Sequence, residues 1–266
     1  MQPTRKALLG LGCALYCSQS ISAAIIGITN GGFEDISGET PYNEFTFGDL
    51  PGWSIYDPSG TKGDGTGGNF YVGTLQPTII ESVDSENYQY FPDGAPEGSR
   101  VGIAFNFNAG ADTGEYGLQQ TLSATLQANM TYTLSALVGN IASGQSLDNN
   151  TFNLDGFPGY RIDLMAGETI LVSDNNSLAG SIAEGSFAST SISYTATDSD
   201  LNLGENLRIR LVNLNVTDPS FSSADLEVDF DSITLDASPV PEPTTSVLLI
   251  GLAAIASVMG RRRKRA

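Results

Sequence analysis

The sequence predicts an all-β protein: one antiparallel β-sandwich over residues 25–238. Three observations carry this expectation. No stretch of that body sustains a helical 3.6-residue period. Several stretches alternate apolar and polar residues with period two. Glycine (30 residues) and proline (12 residues), with Ser, Thr, Asn and Asp, cut the chain into short runs.

Taken in order, residues 1–24 precede the body and read as a signal helix. Arg5 and Lys6 form a short basic start, Ala7–Tyr16 is apolar, and Ser22-Ala23-Ala24 supplies small residues for cleavage after Ala24. Both cysteines, Cys13 and Cys17, lie in this segment, so the exported body has no thiol for a disulfide. The body opens on Asn30-Gly31-Gly32-Phe33-Glu34. Trp53, the only tryptophan, follows Pro51-Gly52 at the start of a strand and is expected in the core. Asp57–Phe70 is a Gly- and Asp-rich surface connection. It is not an EF-hand loop, because Lys62 stands where that loop requires glycine. Residues 76–98, with Tyr88, Tyr90 and Phe91, form a second long loop, followed by a strand over Ser99–Asn106.

In Met130–Asn140, Tyr132, Leu134, Ala136 and Val138 share one face. Tyr160–Asp174 reads as a hairpin turning at Ala166-Gly167-Glu168. Ser186–Thr195 is a further strand. Leu207, Ile209 and Leu211 point inward and Arg208 and Arg210 outward. In Asp229–Asp236, Val228 and Phe230 have one parity and Ile233 and Leu235 the other. A period-two strand buries both pairs only if it carries an extra residue, so a β-bulge is predicted at Asp231-Ser232.

Charge divides the chain. Of 30 acidic residues all but Glu242 fall in the body, against five basic ones: Lys62, Arg100, Arg161, Arg208 and Arg210. A surface this acidic repels nucleic acid and attracts divalent cations. The remaining basic residues sit at the two ends, five of them in Arg261–Arg265. Before them, Ser246–Gly260 is uncharged. As a helix it would span about 22 Å, short of a bilayer core of about 30 Å unless the arginines snorkel. Such a transmembrane helix would keep its basic end cytoplasmic and the body outside. A plain membrane anchor explains all of this except Pro241-Glu242-Pro243.

Pro241, Glu242 and Pro243, the apolar stretch with Gly251-Leu252, and Arg261, Arg262 and Arg263 together resemble the PEP-CTERM sorting signal of Gram-negative bacteria. The resemblance covers residues 239–266. It implies recognition by an exosortase, transient lodging in the inner membrane, and delivery to the cell surface or an exopolysaccharide or biofilm matrix.

The two ends of the body resemble the galactose-binding-like jelly-roll sandwiches common among carbohydrate-binding modules. Asn30, Phe33 and Glu34 match the opening, Gly52-Trp53 the next strand, and Phe230, Asp231 and Ile233 the closing strand. A lectin-like sandwich of other topology is the alternative. The resemblance implies neighbouring first and last strands with a structural Ca²⁺ between them, and Glu34 and Asp231 are the matching positions. Calcium takes six to eight oxygens, which two carboxylates and loop carbonyls would supply.

With no histidine and no cysteine in the body, Ser-His and Cys-His nucleophiles and His-based zinc sites are excluded. A carboxylate pair for glycoside cleavage stays chemically open, but the sequence singles out no pair. The expectation is therefore a non-catalytic surface or matrix protein that binds exopolysaccharide, with Tyr71, Tyr88 and Tyr90 as ring platforms. The alternatives are a matrix protein without a specific ligand and a carboxylate-dependent glycosidase.

Overall fold

Alternation along the long strands sorts the side chains onto two sheets. The computed structural model describes residues 23–48, 50–77, 90–107 and 114–241. Residues 1–22 of the signal segment, Tyr88, Glu242, Pro243, the Ser246–Gly260 stretch read as a transmembrane helix and the arginine tail lie outside the described residues. The first strands are β1 (Ala24–Ile26), β2 (Thr40–Tyr42), β3 (Phe45–Phe47), β4 (Ser54–Tyr56), β5 (Thr66–Gly67) and β6 (Phe70–Leu75). Next come β7 (Val101–Asn106), β8 (Tyr116–Thr125), β9 (Met130–Asn140), β10 (Gly144–Gln145) and β11 (Thr151–Phe152). The last are β12 (Tyr160–Ala166), β13 (Thr169–Asn175), β14 (Ser186–Ala196), β15 (Asn206–Asn213) and β16 (Leu226–Pro239).

Among the described residues one sheet has nine strands, with the order β14-β9-β16-β7-β6-β3-β2; β1 pairs with β16 and β5 with β6. The other has the order β13-β12-β15-β8-β4. All these pairings are antiparallel, and from β7 onward the chain passes back and forth between the sheets, as in a jelly roll. The first and last strands are neighbours: Ala24 pairs with Ala237.

Between the sheets, Leu134, Ala136 and Val138 of β9 and Val228 and Phe230 of β16 meet Leu118, Ile162, Leu164, Ile209 and Leu211 from the other side. Each of the Leu, Ile, Val and Phe side chains contributes about 1.5–3 kcal/mol by leaving water. A one-residue slip would turn a strand's whole set outward, so the alternation also fixes register. Trp53 belongs to this core: it stacks on Phe33 at 5.5 Å and its indole N–H donates to the Asn30 carbonyl at 3.1 Å.

The predicted bulge is present. The register of β16 on β9 shifts between Asp231 and Thr234, and Ser232 has φ 52°. That extra residue lets Val228, Phe230, Ile233 and Leu235 all reach the core. The hairpin of β12 and β13 turns through Gly167-Glu168. The 57–70 segment is more tightly tied than a bare surface loop. Asp57 Oδ1 accepts the N–H groups of Ser59 and Gly60, its Oδ2 accepts that of Lys62, and the Lys62 ammonium lies 4.3 Å from the centre of the Phe70 ring.

A second apolar cluster sits on the other face of the nine-stranded sheet. Ile103 and Phe105 of β7, Phe45 of β3 and Leu75 of β6 are covered there by Tyr90, Phe91, Ile141 and Leu154. The sequence reading assigned β2, β3, β6 and β8 to no element. The strands β2 and β3 have three residues each, too few to show a period.

Candidate functional site

Where the second cluster opens, it leaves a cavity of about 500 Å³ on the outer face of the nine-stranded sheet. The hairpin of β2 and β3 supplies Tyr42, Phe45 and Phe47, β6 supplies Tyr71, and β7 supplies Ile103, Phe105 and, just past its end, Phe107. The 150–154 segment supplies Asn150, Phe152 and Leu154. The rings interlock. Phe47 and Tyr71 have centroids 4.6 Å apart, Phe105 and Phe107 meet edge-on at 4.6 Å, and Phe152 lies 5.8 Å from both Phe45 and Phe105. Such edge-to-face and offset contacts hold a rigid wall of π faces. Tyr42 and Phe107 are partly exposed and mark the mouth. The Tyr42 hydroxyl donates to Asp148, tying the two rims together.

One acid lines this apolar cavity. Glu227 of β16 pairs in register with Phe105, so its side chain emerges on the ring-lined face, while Val228 beside it points into the sandwich core. Glu227 is 3 % exposed and its Oε1 has no hydrogen-bond partner. Burial, with the charge of Asp225 in support, pushes its carboxyl up to about 8 from the ordinary 4.5. Asp229, two residues on along the same face, is wholly buried; no N–H or hydroxyl of another residue reaches its oxygens, and its carboxyl is hydrogen-bonded to that of Glu227. Burial and the charge of Glu227 raise it as well. A carboxyl kept neutral at pH 7 is a proton donor. The rings around it can stabilise positive charge that develops on a bound molecule.

Of the residues singled out from sequence, Tyr71 lines this cavity. Tyr90 does not: it is wholly buried, with its hydroxyl donating to Glu44 at 3.3 Å, so it is a core residue and not a surface platform. Tyr88 is outside the described residues.

Glu34 and Asp231 both meet the 97–100 segment. Glu34 accepts the N–H groups of Ser99 and Arg100 at 2.8 and 2.7 Å and the Ser99 hydroxyl at 2.9 Å. Asp231 accepts the N–H groups of Glu97 at 2.8 Å and Ser232 at 2.6 Å. Gly98 has φ +61°, and a Cβ there would stand 2.4 Å from the Glu34 carboxyl. Among the described residues no three His, Cys, Asp or Glu side chains form a metal-holding group. A calcium ion would therefore rely on these two carboxylates with backbone carbonyls. The environment of Asp231 suits a cation: it is wholly buried, and burial together with the charges of Glu97 and Glu34 pushes it up to about 7.

The sequence reading missed Phe45, Phe47, Phe105, Phe107, Phe152 and Glu227. Two signals were there. Phe45-Thr46-Phe47 and Phe105-Asn106-Phe107 place rings two apart, on one face of a strand. Glu227, Asp229 and Asp231 alternate with Val228 and Phe230, but alternating acids look the same whether water or a covering loop lies over them.

The profile of the HpiC1-like family, described as HpiC1 cyclase, matches residues 24–236, and that of the PEP-CTERM protein-sorting motif matches residues 239–264. A cyclase from Fischerella sp., solved in its apo form, is 38% identical over 83% of this chain and 98% of its own, with a TM-score of 0.64. The Stig cyclase Fisc from Fischerella sp. TAU, in complex with (3Z)-3-(1-methyl-2-pyrrolidinylidene)-3H-indole, is 36% identical over 83% of this chain and 100% of its own, with a TM-score of 0.64. A cyclase from the same organism in complex with 4-(1H-indol-3-yl)butan-2-one is 35% identical over 82% and 99%, with a TM-score of 0.62. No functionally curated protein sequence matches. These findings overturn the expectation of a non-catalytic matrix protein: the relatives are enzymes. Lack of histidine and cysteine excluded nucleophilic schemes, but it does not exclude acid catalysis by one buried carboxyl.

Proposed function

The chain belongs to the HpiC1-like cyclase family and carries a PEP-CTERM sorting motif at its C-terminal end, and from this premise we propose that it is an exported cyclase acting on an apolar, unsaturated small molecule with an aromatic ring system. The observation that carries the reading is Glu227, neutral and buried, facing a cavity walled by aromatic rings. Its volume lies within the usual range for small-molecule sites.

In the step we infer, the Glu227 carboxyl gives its proton to a carbon–carbon double bond of the substrate. A C–H bond forms and the neighbouring carbon becomes cationic. The ring faces of Phe105, Phe152 and Tyr71 stabilise that charge. The packed walls hold the chain folded, so that a second π bond attacks the cation and closes a ring. Loss of a proton to the Glu227 carboxylate restores the acid. Substrate and product are isomers. Two of the relatives were solved with indole compounds bound, and an indole with an unsaturated side chain is the substrate class we assign.

The sorting motif implies export and exosortase processing. Brief lodging in the inner membrane of a Gram-negative cell remains part of the proposal, as does release of the enzyme at the surface. A structural Ca²⁺ held by Glu34 and Asp231 is a second, separable proposal, favoured by the convergence of both carboxylates on the 97–100 segment. It would tie the opening of the chain to its closing strand, and no step of the reaction passes through it.

Incubating the full-length protein with 3-alkenyl indoles and separating products of unchanged mass tests the function. Ring-closed isomers formed by the native protein and lost in Glu227→Gln support it. No isomer from any such substrate, or equal turnover by the variant, would overturn it.

A further inference from the structure

Three of the five basic residues of the body, Arg161, Arg208 and Arg210, stand on the outer face of the five-stranded sheet. Arg161 is neutralised there by Glu115 and Asp163. Arg208 and Arg210 are different. Each Nε donates sideways to a neutral acceptor on β8, Arg208 to Thr121 Oγ1 at 3.1 Å and Arg210 to Gln119 Oε1 at 3.3 Å. The Arg210 guanidinium also lies 4.4 Å over the Tyr56 ring. Their side chains are only 20% and 13% exposed. The terminal nitrogens of both converge on one carboxylate, that of Glu168: Arg208 Nη1 is 2.7 Å from Oε1 and Arg210 Nη2 is 3.6 Å from Oε2. Glu168 sits in the two-residue hairpin turn and its side chain is 76% exposed. These groups line an open groove of about 770 Å³.

We propose that the two guanidiniums form a binding site for the carboxylate of a small molecule, and that Glu168 occupies it as an internal, displaceable ligand. The arginines are already ordered by β8 and Tyr56, so a ligand need not fix them. A paired guanidinium fork suits the two oxygens of a carboxylate. The competitor is an exposed side chain on a turn, and an exposed ion pair contributes little. Asp57 lines the same groove and Glu115 flanks Tyr56; both disfavour a doubly charged anion, so a carboxylate is preferred over phosphate. The groove belongs to the other sheet from the Glu227 cavity, and the proposal stands or falls independently of the cyclase reading.

The test follows the arginine Nε–H resonances of full-length, detergent-held protein during titration with sodium propionate. Inorganic phosphate and ionic-strength-matched chloride serve as the other arms. Saturable shifts of Arg208 and Arg210 are expected with propionate. Glu168→Gln should tighten binding by about two- to five-fold by removing the internal competitor. Arg208→Lys, which keeps the charge but loses the fork, should weaken it about ten-fold, with melting temperature as the check on folding. Absence of a saturable shift in both native protein and Glu168→Gln, an unchanged affinity in Glu168→Gln, or phosphate binding as tightly as propionate would each overturn the assignment.

Discussion

Replacing Glu227 by Gln should stabilise the protein at high pH and abolish its catalysis. The folded protein holds this carboxyl near 8, against 4.5 as an unperturbed group. A group raised on folding binds its proton more tightly in the native state, so stability falls as pH rises from about 4.5 towards 8. Below that window the ionisation penalty is absent. At about 1.4 kcal/mol per tenfold change, the penalty at pH 8 is on the order of 4 kcal/mol. Gln has nearly the same shape and cannot ionise, so the difference in unfolding free energy between variant and native protein should grow by about that amount between pH 4 and pH 8. The groups that share the environment are Asp225, Asp229 and the hydroxyls of Tyr90 and Tyr116; Asp229 is itself raised by Glu227, so the comparison is made in an Asp229→Asn background, where only the Glu227 carboxyl differs. Urea denaturation at the two pH values measures the stability change, and turnover at pH 6 and 9 measures the chemistry. Native activity should fall as pH rises through about 8, and the variant should be inactive at both. A pH-independent stability difference, or turnover that survives in the variant, would refute the argument that burial keeps this acid protonated and ready to donate.

Three further outcomes follow from the same structure. Phe152→Leu keeps the cavity apolar but removes a ring from its wall, and kcat should drop about 2- to 30-fold, corresponding to a cation–π contribution of about 0.5–2 kcal/mol; steady-state kinetics on the alkenyl indole substrate decides it, and an unchanged kcat counts against a cationic intermediate. Saturating calcium, at about 100 times its Kd, should stabilise by about 2.7 kcal/mol, raising Tm by roughly 5–10 °C for a domain of this size; a melting curve unmoved by calcium or EDTA, or moved equally in Asp231→Asn, argues against the ion. Gly98→Ala forces a Cβ against the Glu34 carboxyl at a positive φ and should cost about 1–3 kcal/mol, measured by denaturant unfolding.

Export and catalysis are compatible in one chain. The sorting motif occupies residues 239–264 and the cyclase-family match ends at 236, so the address and the enzyme do not overlap. The charge contrast that separates them carries no information about the reaction.

Period-two alternation in 130–140, 160–174 and 207–214, and the parity break in 228–235, determined the sandwich, its hairpin and its bulge. These patterns are local, because a strand's two faces are set by neighbouring residues and burial rewards only one of them. Trp53 and the sorting motif were legible for the same reason: each rests on a few adjacent residues. The site was not. Asp231 was expected to hold calcium and Glu227 and Asp229 were given no role, because only the 90–100 and 141–154 segments folding over that face bury these acids. Phe47, Tyr71, Phe105 and Phe152 come from four separate strands, and their convergence depends on sheet order, which alternation does not encode. A carboxyl's proton affinity depends on the water and charge around it, and in this protein residues more than a hundred positions apart decide both.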